Sequence, residues 1–194
     1  MELRQCGGVT MRIERENFHI FTGGPGSGKT SVINALAARG HVTVAEVGRQ
    51  IIKEQKAIGG DGLHTGDQAK FRDLMLSRSI HTYNAVSDCA NPVFFDRGIP
   101  ELVGYGALVG LPTPEYFHTA AAMFRYSKRV FIMPPWPEVY GNDTERVQDF
   151  AEAVKTWQMV AETYPQLGYE LVEVPKADIA ARVEFILAEL RIPE

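Results

Sequence analysis

Cysteine is scarce in this 194-residue chain, which has only two. Cys6 and Cys89 lack the spacing of a metal cage or a redox pair, so a disulfide scaffold and a cysteine-built metal module are excluded, and a reduced, cytoplasmic compartment is expected. Long apolar runs are missing as well. The longest charge-free stretch, Leu102 to Pro114, is interrupted by glycine and proline and is too short to cross a bilayer, so no membrane partner is expected. The N-terminus shows neither the apolar core nor the cleavage pattern of a secretory signal. Basic charge is in deficit: 20 Lys and Arg stand against 24 Asp and Glu, a formal net charge of −4, which argues against a nucleic-acid partner. Internal repeats and low-complexity linkers are also lacking. The expectation is a single domain over residues 17–194, preceded by a loose extension over 1–16 in which Met11 is an alternative start.

What is present is a regular alternation of short apolar runs and longer helical segments. Strands are predicted at Phe18–Thr22, His41–Ala45, Pro92–Phe95, Lys128–Met133 and Glu170–Val174. Helices are predicted between and after them: one following Thr30, one around Arg49–Gln55, one over 68–87, two punctuated by Pro100 and by Thr113-Pro114, one over 144–164, and a last one carrying Ile179, Val183, Ile186, Leu187 and Leu190 on one stripe. Five strands separated by helices predict a three-layer α/β/α sandwich around a five-stranded parallel sheet. In such a sheet ligands bind at the strands' carboxyl ends.

The sharpest motif follows the first strand. Gly23-Gly24-Pro25-Gly26-Ser27-Gly28-Lys29-Thr30 fills every fixed position of a phosphate-binding loop and sits between an apolar strand and an amphipathic helix. Glycines let backbone N–H groups turn inward around phosphate oxygens, and the helix start adds partial positive charge. Lys29 is expected on the β and γ phosphates of a nucleotide and Thr30 on Mg²⁺, with Ser31 completing the loop. A dinucleotide fingerprint is excluded by the spacing of Gly24, Gly26 and Gly28. The chain therefore reads as a P-loop NTPase.

A second element is Val93-Phe94-Phe95-Asp96, an apolar strand ending in an acid that fits the Mg²⁺-holding aspartate beside a phosphate loop. Arg97 occupies the next position, where a motor-type ATPase usually carries a water-activating glutamate. An arginine there suits clamping an anion or orienting a substrate; the plainer alternative is a structural Asp–Arg pair.

Together GGPGSGKTS, AEVGRQII, FFDRG and PPWPEVYGNDTERVQDF resemble the predicted ATPases of the AAA_28 type, over roughly Phe18 to Leu190. The ribosylnicotinamide kinase domain of NadR proteins is similar to that family, and FFDRG also resembles the nucleoside and small-molecule kinases. The resemblance implies a kinase-like fold, ATP with Mg²⁺, and transfer of the γ-phosphate to a hydroxyl of a small metabolite. By resemblance Glu46, at the end of the second strand, is the base for the acceptor hydroxyl, Arg49 holds a polar or anionic part of the acceptor, and Arg146 is the lid arginine. The alternatives for these three are a surface Glu46–Arg49 ion pair and a solvated helix-end arginine. Lys176-x-Asp178 is half of a guanine signal, but Pro175 replaces its asparagine, so ATP is favoured and GTP stays open. Asp178 reads more simply as a helix cap. Arg78 falls on the core-facing stripe of its helix, where it lines an acceptor pocket or, more simply, extends past the core edge into water. A nucleotide switch acting on a protein partner is the rival to a kinase.

Overall fold

A computed structural model describes residues 12–140 and 150–192. Its core is a five-stranded sheet of β2 (Phe18–Gly23), β3 (Val42–Val44), β4 (Val93–Asp96), β6 (Arg129–Met133) and β7 (Glu170–Glu173), in the spatial order β3-β4-β2-β6-β7 with every pairing parallel. Parallel neighbours need crossovers, and helices supply them: α1 (Lys29–Ala38), α2 (Val47–Ile58), α3 (Gln68–Ala85), α4 (Glu101–Leu108), α5 (Glu115–Met123), the short α6 (Pro137–Tyr140), α7 (Phe150–Gln166) and α8 (Ile179–Leu190). The predicted α/β/α sandwich is what forms.

Strand periodicity divides the core in two. Phe18 and Ile20 of β2, Phe95 of β4 and Ile132 of β6 face one layer, where Leu76 and Tyr83 of α3, Phe117 of α5 and Val160 and Tyr164 of α7 close over them. Phe21, Phe94, Phe131 and Met133 face the other, packing on Val32, Ile33 and Leu36 of α1 and Val183, Ile186 and Leu187 of α8. Both faces are covered, which is why the strands read as nearly unbroken apolar runs.

The chain joins the fold earlier than residue 17. Ile13–Glu14 is a short strand, β1, parallel to β5 (Phe124–Arg125) in a separate two-stranded sheet. The buried Tyr83 ties the pair together, its hydroxyl donating to the carbonyls of Arg125 at 2.7 Å and Ile13 at 3.2 Å. Part of the segment read as a loose extension is therefore an ordered edge of the domain. Two-residue strands carry no periodicity, so the sequence gives them no signature.

Strand order positions the site. The chain runs from β2 out to the edge strand β3, returns to β4 between them, and later adds β6 on the far side of β2. The carboxyl ends of β3, β4 and β2 therefore lie side by side and bring together Glu46, Asp96-Arg97 and the loop from Gly23.

Candidate active site

The loop after β2 is held close to its neighbours. A Cβ on Gly24 would lie 2.2 Å from the Ala153 carbonyl oxygen of α7, and Gly28 enters α1 at φ +86°, so both positions require glycine. Lys29 is buried. Its Nζ donates to the carbonyls of Gly23 (3.0 Å) and Gly24 (2.8 Å) and to Ser27 Oγ (3.4 Å), and Ser27 Oγ in turn donates to the Gly24 carbonyl. Burial and the nearby Arg97 lower the Lys29 pKa to about 8, although Asp96, Glu46 and Glu101 support the charge.

Thr30 Oγ1 donates to Asp96 Oδ2 at 3.0 Å, linking the loop to the end of β4. Asp96 is 5% exposed, and its Oδ1 is buried with no hydrogen-bond partner among the described residues. Desolvation pushes its pKa up, with Glu46 adding to the effect and Lys29 and Arg97 opposing it.

Beside it lies a network of acids and an arginine anchored on five elements. Arg97 does not pair with Asp96. Its Nη1 donates to Glu101 Oε2 at 2.7 Å and its Nε to Glu46 Oε1 at 3.2 Å. Arg97 adopts φ +71°, a left-handed conformation that costs a non-glycine residue roughly 1–2 kcal/mol, and two ion pairs on one guanidinium hold it there. Burial opposes the Arg97 charge, but Glu101 and Glu46 outweigh it and its pKa rises. Glu101, buried in the first turn of α4, accepts from Thr22 Oγ1 of β2 at 2.5 Å and from Tyr164 OH of α7 at 3.3 Å through Oε1. Glu46 Oε2 lies 3.5 Å from Arg49 Nε. Burial works against ionisation of Glu46, yet Arg97, Lys29 and Arg49 prevail and hold the carboxyl below its ordinary value.

These groups share a cleft of about 760 Å³. The phosphate loop forms one end. Phe71, Met75, Tyr105 and Leu108 give it an apolar lining, and Arg49, Lys53 and Lys56 of α2 line it as well, with Gly48 of α2 packed beside Phe71 and Met75. That combination, a large apolar pocket with a few convergent charged groups, suits a flat organic molecule with a polar reacting end.

The AAA_28 family model, described as an AAA domain, matches residues 18–182. The chain belongs to this family. Among curated proteins none matches the sequence. Among solved structures, a deoxyadenosine kinase from M. mycoides with products dCMP and a flexible dCDP bound superposes with a TM-score of 0.68 at 15% identity, covering 90% of this chain and 98% of that one. The same enzyme with bound dATP gives a TM-score of 0.55 at 12% identity, over 90% and 99% of the two chains. A thymidylate kinase from Candida albicans gives 0.62 at 12% identity, over 91% and 92%. This AAA_28 chain has the fold of the P-loop nucleoside and nucleotide kinases.

Of the residues singled out in the sequence, Pro25, Gly26, Gly28, Lys29, Thr30, Ser31, Glu46, Arg49, Asp96 and Arg97 all line the cleft, while Gly24 and Ser27 support the loop from within. Arg146 lies outside the described residues. Arg78 neither lines the cleft nor ends in free water: it makes a two-pronged pair with Glu54 of α2 at 2.8 and 3.2 Å. Asp178 caps α8 through the Ala181 N–H at 2.8 Å.

Two residues escaped sequence reasoning. Glu101 was not singled out, although its i,i+4 spacing from Arg97 was a usable signal. Arg182 of α8, 3% exposed, reaches beneath the phosphate loop to donate to the Ser27 carbonyl at 3.1 Å. Nothing local in the sequence announces that contact, which spans most of the chain.

Proposed function

We propose that this AAA_28 protein is an ATP-dependent phosphotransferase whose acceptor is a hydroxyl of a nucleoside-like metabolite. The observation that carries the reading is Glu46: an ionised carboxyl, oriented by Arg97 and Arg49, in the same cleft as the phosphate loop. A phosphate acceptor at that point would meet a fixed negative charge, and Arg97, already engaged by two carboxylates, has little left to offset it. A hydroxyl instead donates a hydrogen bond to Glu46.

In this reading the loop N–H groups and Lys29 hold the β and γ phosphates, with Lys29 Nζ leaving its backbone carbonyls for phosphate oxygens. The donor side fits Mg²⁺. Among the described residues Thr30 and Asp96 are joined, Asp96 Oδ1 is buried without a partner, and no cluster of three or more His, Cys, Asp or Glu could form an all-protein cage. A metal that takes its remaining ligands from phosphates and water matches that donor set. When bound it supplies charge neutralisation between the phosphates. The acceptor oxygen attacks the γ phosphorus, the bond to the β–γ bridging oxygen breaks, ADP departs, and the hydroxyl proton passes to Glu46. Arg97 keeps Glu46 aimed, and Arg146 is assigned to the lid on sequence grounds. ATP is favoured over GTP because Pro175 stands where a guanine-reading asparagine would be.

The test is incubation with γ-labelled ATP, or GTP in a parallel arm, and pooled nucleosides, vitamins and sugars. A labelled, acceptor-dependent product is expected. Tight nucleotide binding with no acceptor across the panel would replace the kinase with a nucleotide switch.

A further inference from the structure

The formal charge of the chain is −4, yet the cleft is lined by five cations and three carboxylates. Most of this charge has local work. Arg97 is matched by Glu46 and Glu101, and Arg49 leans on Glu46. Lys29 belongs to the phosphate loop. Lys53 and Lys56 are different. They continue the stripe begun by Arg49 at the i+4 and i+7 positions of α2, on the cleft-lining face. Both are exposed, and among the described residues neither has a carboxylate partner, whereas Arg49 and Arg97 in the same cleft are each paired with an acid. The acids that α2 does carry beyond Glu46 do not serve them: Glu54 is turned to Arg78 and Gln50.

We propose that Lys53 and Lys56 form an anion subsite for the acceptor, so that the substrate is an alcohol that also carries a phosphate or carboxylate group remote from the hydroxyl. The proposal rests on the phosphotransferase reading for the position of the hydroxyl at Glu46. Helical rise places Lys53 and Lys56 roughly 6 and 10 Å along the axis from Arg49. The reacting hydroxyl and the anionic group are therefore at opposite ends of the acceptor, with Phe71, Met75 and Tyr105 available to its apolar middle. The arrangement explains how one cleft tolerates an ionised Glu46 and still selects an anion: the negative group is kept away from the base. It also defines the preceding chemistry, because an earlier reaction must have installed or left the anionic group before this step.

The experiment measures equilibrium binding by calorimetry with the donor site saturated by Mg·ADP. The probes are matched pairs: adenosine and thymidine against their 3′-monophosphates for the phosphate arm, and pantothenol against pantothenate for the carboxylate arm. In at least one arm the anionic member is expected to bind about tenfold tighter than its neutral partner, with the advantage shrinking as salt rises. Lys53→Ala/Lys56→Ala should erase that advantage, and Lys53→Glu/Lys56→Glu should reverse it, while Mg·ADP affinity stays unchanged. Equal binding within every pair, no binding by any anionic member, or an advantage that survives both double variants would overturn the subsite. Transfer assays on the same probes keep the two readings apart. An anionic alcohol that binds through the lysines but is never phosphorylated counts against the kinase, and transfer to neutral alcohols without anionic preference counts against the subsite alone.

Discussion

In the proposed phosphotransferase reading, the donor end of the cleft and its acceptor end are assembled in contrasting ways. At the donor end the chemistry is packed into Gly23–Thr30, with Asp96 the main outside contribution, and the backbone itself provides much of the binding surface. At the acceptor end Glu46 precedes α2, Arg97 follows β4, Glu101 opens α4, and the network is anchored on Thr22 of β2 and Tyr164 of α7. A contiguous loop can be supported by one strand and one helix. A network drawn from five elements exists only when the whole domain is folded, so its geometry also reports on the fold. The two ends should respond differently to mutation.

The largest effect belongs to the donor end. Lys29→Ala removes the ammonium assigned to the phosphates, and transfer should fall by about 10³-fold together with nucleotide affinity. Calorimetric titration with ATP would check this, and unchanged affinity would break the donor assignment. Glu46→Gln is the opposite case. Transfer should drop by about 10²-fold or more while ATP binds within about twofold of normal. Equal loss of both would mean that Glu46 supports the fold and takes no proton.

The pH dependence sharpens the contrast further. Lys29 is held near 8, so the free protein loses this cation as pH rises through that value. Nucleotide affinity should weaken above about pH 8 by up to tenfold per unit, and Lys29→Arg should move that limb to higher pH. For stability without nucleotide the sign is reversed. Between about 8 and the ordinary lysine value the unfolded chain binds more protons than the folded one, so Lys29 makes the fold more stable as pH rises there. Glu46, held below its ordinary value by Arg97, Lys29 and Arg49 against the cost of burial, sets no limb near neutrality.

Glu101→Gln tests the network's dependence on the whole domain. The variant keeps the shape but removes a buried charge facing Arg97, and a loss of about 2–3 kcal/mol in denaturant unfolding is expected. Turnover should fall by about tenfold through misaimed Glu46, with KM for ATP unchanged. Stability lost without that split in kinetics would confine Glu101 to the fold.

How much was legible follows from the same contrast. The strand order was not read, but the strands, the loop motif and Asp96 were, because each is a local pattern of period two, glycine placement or a strand-end acid. Arg97 was seen as a residue but its ion-pair partners were not. Its partners lie 51 residues before it and one helical turn after it, and the sequence placed it beside Asp96 only because they are adjacent. The pairing of Ile13–Glu14 with Phe124–Arg125, bridged by the Tyr83 hydroxyl, is another long-range contact. Asp178 was legible as a cap because capping is decided within three residues.

Arg78 gives the smallest expected effect, and it separates position on a helix from function. Helical periodicity put it on the stripe with Phe71, Leu74 and Met75, yet α2 packs alongside α3 and offers Glu54 just where the guanidinium emerges. Both partners stay substantially exposed, with side-chain exposures of 32% and 44%, so solvent screens the attraction. Arg78→Ala should therefore cost no more than about 0.5–1 kcal/mol in thermal or denaturant unfolding, less at high salt. Because α2 also carries Arg49, Lys53 and Lys56, a loosened α2–α3 contact would surface first as weaker acceptor binding with ATP affinity intact. A variant that loses ATP binding instead would show that the two ends are mechanically coupled through α2.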